Sequence, residues 1–537
     1  MNTKPEVKTF PDNSKVWTNT FNSFSATVYV PSTDLPEDIV NFGYEAPYTL
    51  VFSEAPVSLD GAKDFSEKTG LSAIASKKAS SVTFIYPTCE GGWENATDEL
   101  FVELIKNSKI HQYHEDGMAK LINRFTHTTD GFAIRGAIFR TDIYASKKAA
   151  DYVALNLLKT INGEGLWGPA DVTPNTVILS ELSVIPSIER TDIPVVSINN
   201  SDEINEVIRS KCEHFLIEKE ASFEKIYDSF VGKYMRWVGN LSECPDLNAI
   251  NMKEEYCVTT LKTSPDNEGD YKGSSSHPLG YIAFYNNDLF DNGPVPLVLA
   301  FHGGGDSALH IAFVSEWYKV AHDHNFLLIC VEDHLNSTAT EMMEFIDILK
   351  NKYSIDSTRI YASGFSMGGC KSWDLYQEYP EVFAGLAPMD ATFEVGLNVF
   401  GKPSVKETIN ENVSVPIFYI GGEITPLPEL PFQAEKCRDR MEYVFKVNNL
   451  ATKYDVKFED VENWKDPIWG ISGDEIEKIP DESRGSILTI NYFFGKDGRK
   501  YTAFASVSGQ GHECRYHTCE HAYRFLSKFK RVGSDFI

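Results

Sequence analysis

Short, wholly apolar runs alternate with amphipathic stretches along this chain, and the alternation occurs twice in the same order. Pro47-Tyr48-Thr49-Leu50-Val51-Phe52 and Pro296-Leu297-Val298-Leu299-Ala300-Phe301 are runs of the kind found in strands buried on both faces. Each leads through a helical stretch to a second run, Val82-Thr83-Phe84-Ile85-Tyr86 in one case and Phe326-Leu327-Leu328-Ile329-Cys330 in the other. Ala96-Thr97-Asp98-Glu99 then parallels Ala339-Thr340-Glu341-Met342, each opening an amphipathic helix. Ile193-Pro194-Val195-Val196-Ser197-Ile198 parallels Val415-Pro416-Ile417-Phe418-Tyr419-Ile420. The separation between partners shrinks steadily along the chain, as insertions in the first copy would produce. Strands that alternate with helices need crossovers between parallel neighbours. The pattern therefore predicts an α/β protein of two tandem domains, each a doubly wound, mostly parallel sheet.

The seam is expected near Asn240 to Asn251, where a helix ending in Trp237-Val238-Gly239 runs into Ser242-Glu243-Cys244-Pro245-Asp246. This gives domains 1–245 and 246–537. Lys272-Gly273-Ser274-Ser275-Ser276-His277-Pro278 has a linker's composition, yet Tyr281-Ile282-Ala283-Phe284-Tyr285 follows at once, so it reads as a loop between the first two strands of the second domain.

Composition narrows the classes. The chain has 537 residues, 42% hydrophobic and 24% charged, which excludes disordered, collagen-like and coiled-coil proteins. A net charge of −27 repels phosphate backbones and anionic lipid, so neither nucleic acid nor a membrane is an expected partner. Met1-Asn2-Thr3-Lys4-Pro5-Glu6 lacks the apolar stretch of a secretory signal, and nine cysteines form no regular framework. The expectation is a cytoplasmic protein with reduced thiols.

The candidate chemistry lies in the second copy. Gly364-Phe365-Ser366-Met367-Gly368-Gly369 follows a strand-like run and precedes a helical one, the setting of a G-x-S-x-G nucleophile turn. Phe301-His302-Gly303-Gly304-Gly305-Asp306 follows the first apolar strand, and its backbone N–H groups, with that of Met367, are candidates for an oxyanion hole at Gly303, Gly304 and Met367. Gly509-Gln510-Gly511-His512 closes the strand Tyr501-Thr502-Ala503-Phe504-Ala505-Ser506-Val507, placing His512 where a general base can swing over the sheet to Ser366. The acid is ranked Glu423 first, because it stands closest to the end of the preceding strand, with Glu429 and Asp390 as alternatives. His512, Cys514, His517, Cys519 and His521 have metal-binding chemistry, but their spacing fits no familiar finger and the segment reads better as a last loop and helix, so no metal is expected. Trp373, Trp464, Trp469, Tyr492, Phe493 and Phe494 are aromatic candidates for the substrate mouth, or ordinary core.

With those motifs in order, the segment from Tyr256 to Phe529 resembles the polyhydroxybutyrate depolymerase and feruloyl esterase branch of the α/β-hydrolases. Tyr379-Pro380-Glu381-Val382-Phe383-Ala384 after the serine turn adds to the likeness. The resemblance implies hydrolysis of polyester, hydroxycinnamoyl or acetyl esters through an acyl-serine, without cofactor or metal. Carried over, Ser366 is the nucleophile and His512 the base. The family usually has an aspartate where Thr425 stands, which leaves the identity of the acid open.

The first copy keeps the scaffold without the motifs. Ser53-Glu54-Ala55-Pro56 replaces the glycine run, where Pro56 has no N–H and Glu54 would repel an oxyanion. Arg140-Thr141-Asp142-Ile143-Tyr144-Ala145-Ser146-Lys147 carries no G-x-S-x-G, and Ser146 has no flanking glycine. This domain is expected to be noncatalytic, open to packing, capping or homo-oligomer formation. A small or oligomeric ester is the expected partner. A serine peptidase of prolyl-oligopeptidase type and a noncatalytic binding or scaffold protein are the competing readings.

Overall fold

The computed structural model describes residues 7–33, 48–77, 80–106, 141–165, 168–220, 222–237, 239–269, 271–304, 306–332, 334–398, 400–403, 409–425 and 427–537. The chain divides into two compact units, Met1–Asp246 and Leu247–Ile537. Gly305, Arg140 and Val238, which the sequence motifs include, lie outside the described residues.

The sheet of the first unit contains β1 (Lys8–Thr9), β2 (Lys15–Thr20), β3 (Phe24–Val30), β4 (Tyr48–Phe52), β5 (Val82–Pro87), β6 (Thr141–Ser146), β7 (Thr176–Ser180), β8 (Val195–Ile198) and β9 (Phe215–Glu218). Their spatial order is β1-β2-β3-β5-β4-β6-β7-β8-β9. Pairing is antiparallel from β1 to β5 and parallel from β5 to β9.

The second unit contains β10 (Met252–Lys262), β11 (Ser276–Asn286), β12 (Val295–Phe301), β13 (Leu327–Val331), β14 (Ile355–Phe365), β15 (Gly385–Met389), β16 (Ile417–Gly422), β17 (Glu475–Asp481), β18 (Ser486–Phe494) and β19 (Lys500–Val507). They lie in the order β10-β11-β13-β12-β14-β15-β16-β19-β18-β17. The core from β13 to β19 is parallel, and both edges are antiparallel. Compared strand for strand, β2-β3-β5-β4-β6-β7-β8-β9 and β10-β11-β13-β12-β14-β15-β16-β19 have the same order and the same directions.

The uninterrupted apolar runs form strands because helices cover both faces of a parallel sheet. All seven residues of β12 are buried, with Leu297, Leu299 and Phe301 fully so. Burying one such side chain contributes about 1.5–3 kcal/mol. Leu299→Ala would cost about 2–5 kcal/mol through the cavity it leaves. The helix that opens at Ala339 starts on a capping box: Thr338 Oγ1 accepts from the Glu341 N–H at 3.1 Å, and Glu341 Oε2 accepts from the Thr338 N–H at 2.7 Å.

The Gly/Ser-rich segment joins β10 to β11, whose register runs from Met252↔Asn286 to Lys262↔Ser276. One expected element is different. Tyr234–Trp237 is a strand rather than the end of a helix, and it pairs with Asn240–Glu243 across a turn at Gly239 (φ +82°). The Arg236 guanidinium fixes this hairpin by donating to Asp192 at 2.7 Å and to the Gly239 carbonyl at 2.9 Å. Among the described residues no helix is long and apolar enough to cross a membrane.

Candidate active site

Ser366 sits at the junction of β14 and the helix Met367–Glu378 with φ 53° and ψ −118°, a conformation that costs a non-glycine residue about 1–3 kcal/mol. The flanking glycines make the turn feasible. A Cβ on Gly364 would lie 2.0 Å from the Gly368 carbonyl oxygen, and one on Gly368 would lie 2.2 Å from the Phe301 carbonyl oxygen. The Ser366 N–H donates to the Met389 carbonyl at 2.9 Å, tying the turn to the end of β15. The serine is half-buried.

His512 stands on the loop after β19 with its Nε2 2.9 Å from Ser366 Oγ. Its Nδ1 is hydrogen-bonded to Glu429 Oε1. A carboxylate only accepts, so Nδ1 carries the ring proton and Nε2 is left as the acceptor for the serine O–H. Phe365 packs beside the imidazole, with ring centroids 4.7 Å apart.

The sequence ranking put Glu423 first, whereas the carboxylate hydrogen-bonded to His512 is that of Glu429. Glu423, expected first, turns away and accepts from Ser506 Oγ at 2.8 Å. Glu429 is 1% exposed and lies on the loop after β16. Its Oε1 also accepts from Thr425 Oγ1 at 3.0 Å, so Thr425 supports the carboxylate that reaches the histidine. Distance along the chain from the strand end misled the ranking. The loop folds back at Gln433, whose Oε1 accepts the N–H groups of Glu429 and Leu430, each at 2.8 Å. Asp390, just after β15, is buried with φ 48° and accepts the Gly422 N–H at 2.9 Å. Burial first, and then the Glu429 charge, hold its carboxyl well above the usual carboxylate range.

The three expected oxyanion donors are not equivalent. The Gly303 N–H donates to Asp306 Oδ2 at 3.1 Å and is therefore engaged. His302 is fully buried between the carbonyls of Gly303 (2.7 Å) and Glu332 (2.6 Å), which anchors the loop. Met367 opens its helix, where first-turn N–H groups have no intrahelical acceptor. Gly304 and Met367 remain as the available pair. Asp306 was the missed residue, its side chain reaching back three residues to the Gly303 N–H.

Most of the aromatic candidates are core. Trp373, Trp469 and Phe493 are at most 1% exposed, and Tyr492 is buried; Trp373 Nε1 donates to the Ala391 carbonyl and Trp469 stacks on Phe504. Ile424 and Leu427, on the loop that carries Glu429, are the exposed apolar side chains close to this constellation in sequence. Among the described residues no group of three or more His, Cys, Asp or Glu is arranged to hold a metal. Cys514 and Cys519 face each other at 3.4 Å, and the His517 and His521 rings are 5.0 Å apart.

In the first unit, the junction of β6 and the helix Lys147–Asn156 has Lys147 at φ 50°. Glu54, from the loop after β4, accepts the Ala149 N–H at 3.2 Å, so a carboxylate of the chain itself occupies that helix N-terminus. A cavity of about 760 Å³ in this unit, lined by residues such as Asn22, Asp98, Glu103 and Lys106, contains none of these groups.

The sheet order and the serine turn define the second unit as an α/β-hydrolase fold. No family model matches the chain. It is 25% identical over 162 residues to a bifunctional acetylxylan esterase/xylanase of Neocallimastix patriciarum, covering 28% of this chain and 22% of that protein. It is 24% identical over 168 residues to a poly(3-hydroxyalkanoate) depolymerase of Paucimonas lemoignei (28% and 38%), and 30% identical over 143 residues to feruloyl esterase B of Thermothelomyces thermophilus (24% and 48%). The chain thus spans less than half the length of each of these relatives. An acetyl xylan esterase structure from Aspergillus awamori aligns at 12% identity with a TM-score of 0.32, over 50% of this chain and 99% of that one.

Proposed function

We propose that the second unit is a serine hydrolase of carboxylic esters, with Ser366 as nucleophile, His512 as general base and acid, and Glu429 as the carboxylate that orients the histidine. The observation that carries this reading is the 2.9 Å contact between His512 Nε2 and Ser366 Oγ, with Glu429 on the opposite ring nitrogen. Ser366 Oγ attacks the ester carbonyl carbon as its proton passes to His512 Nε2. Negative charge then develops on the carbonyl oxygen, against the N–H groups of Gly304 and Met367 at the positive end of a helix. Collapse expels the alcohol, which takes the proton from His512 and leaves an acyl-serine. Water, deprotonated by the same nitrogen, releases the acid and restores Ser366.

The curated relatives act, by name, on acetylxylan, poly(3-hydroxyalkanoate) and feruloyl esters. Small acyl or polyester substrates fit that range. The first unit is noncatalytic in this reading, because Lys147 stands at the nucleophile's position and the Glu54 carboxylate is bonded to the Ala149 N–H at that helix N-terminus. Turnover of p-nitrophenyl acetate, methyl ferulate, a 3-hydroxybutyrate dimer and a prolyl p-nitroanilide by the purified chain tests the proposal. Ester hydrolysis that disappears in Ser366→Ala is the expected result. Cleavage of the anilide alone would replace an esterase with a peptidase, and turnover of none would leave a noncatalytic protein.

A further inference from the structure

Behind the histidine lie two carboxyl groups rather than one. Asp390 directly follows β15, and Glu429 is carried by the loop after β16. Both are at most 2% exposed, and both lie against the end of β16: Asp390 Oδ1 accepts the Gly422 N–H at 2.9 Å, and a Cβ on Gly421 would lie 3.6 Å from the Glu429 Cβ. Two carboxylates have only acceptor oxygens, so side chains brought together here need a proton on one of them. Like charges this close inside a protein do not both ionise.

The donors decide which group is the acid. Glu429 Oε1 receives two, the His512 Nδ1–H and the Thr425 hydroxyl. Asp390 Oδ1 receives one, the Gly422 N–H. Donors stabilise the charged form, so the negative charge settles on Glu429. Glu429 Oε2 is fully buried and has no N–H or hydroxyl partner among the described residues. An unpaired buried carboxylate oxygen is costly, and the Asp390 carboxyl is the neighbour able to satisfy it. The Cys514 thiol lies against Met389, next to Asp390 in sequence, and the Tyr419 hydroxyl donates to the Glu429 carbonyl; neither brings positive charge.

We infer that Asp390 is a protonated positioning residue, donating its carboxyl hydrogen to Glu429 Oε2 and so fixing the plane of the carboxylate that orients His512. This rests on the esterase reading for its consequence, though not for its chemistry. The left-handed backbone at Asp390 is consistent with a side chain held in place for a purpose other than packing. Asparagine reproduces the arrangement: its oxygen accepts from Gly422 and its NH₂ donates to Glu429. Alanine removes both.

Steady-state kinetics of Asp390→Ala and Asp390→Asn, with infrared spectra of the wild-type chain and Asp390→Asn at pH 8, test the inference. Asp390→Ala is expected to lower kcat by about tenfold to a hundredfold with little change in KM, as one unpaired buried acceptor implies. Asp390→Asn is expected to restore most of that rate. The wild-type spectrum is expected to contain a protonated-carboxyl C=O band that Asp390→Asn lacks. A loss in Asp390→Asn equal to that in Asp390→Ala would make Asp390 an ionised member of the site and overturn the inference. So would full activity in both variants, or the absence of the infrared band. If the wild-type chain hydrolyses no ester, the esterase reading fails while the infrared comparison still tests the proton.

Discussion

Lys147 in the first unit stands where Ser366 stands in the second. Strand β6 pairs with β4 through Ala145↔Phe52, and β14 pairs with β12 through Gly364↔Phe301, so both residues lie two positions beyond equivalent pairs. Their φ angles, 50° and 53°, are nearly the same. The two turns share a backbone conformation, with a lysine in the first and a serine in the second. Moreover, Glu54 follows Phe52 by two, as Gly303 follows Phe301, and its carboxylate is bonded to the helix N-terminus. Restoring a hydroxyl there is not enough. Lys147→Ser in a Ser366→Ala background is expected to give no labelling by a fluorophosphonate, read by intact mass, and labelling at residue 147 would contradict a noncatalytic first unit.

The two glutamates make a sharp pair of variants. Glu429→Gln removes the charge that holds His512 in its Nδ1–H tautomer and is expected to lower kcat roughly a thousand- to ten-thousand-fold, as loss of the triad carboxylate does elsewhere. Glu423→Gln, whose partner is Ser506, is expected to leave kcat unchanged. The opposite ordering would return the acid to the strand end.

Gly368→Ala tests why the turn needs its glycines. A Cβ there meets the Phe301 and His302 carbonyl oxygens at 2.2 and 2.7 Å, and these are backbone atoms that cannot step aside. Denaturant unfolding is expected to show a loss of about 3 kcal/mol or more. A loss below 1 kcal/mol, on the order of a surface change, would contradict the close approach.

Asp390 carries a pH signature. Its carboxyl is held well above the usual range by burial and by Glu429, so the folded chain retains a proton that the unfolded chain releases. The stability this group contributes is full below the unfolded pKa of about 3.9 and is lost as pH rises through the raised folded value. Wild type minus Asp390→Asn is therefore expected to fall from pH 4 to pH 8 in denaturant titrations. A difference independent of pH would mean that Asp390 titrates normally.

The alternation of buried strands with helices was legible because runs such as Leu297-Val298-Leu299-Ala300 are long enough to mark a doubly covered sheet, and Gly364, Ser366 and Gly368 carry their own steric reason. What the sequence concealed depended on loops. Which glutamate reaches His512 is set by a fold-back at Gln433, and Gly303 loses its N–H to a side chain three residues away. Trp237 failed for a related reason: the strand there is held by Arg236 reaching Asp192, a contact that no local pattern announces. Trp469 and Phe493 look the same in sequence whether they line a mouth or fill a core.

The central claim is that one serine hydroxyl is activated by His512, and trapping it is the most direct test. Wild-type, Ser366→Ala and His512→Ala chains are treated with a fluorophosphonate, digested and mapped by mass spectrometry. The account predicts a single phosphonylated residue, Ser366, in the wild type, no adduct in Ser366→Ala, and labelling slowed by orders of magnitude in His512→Ala. An adduct at any other residue, or equal labelling rates with and without His512, would contradict it.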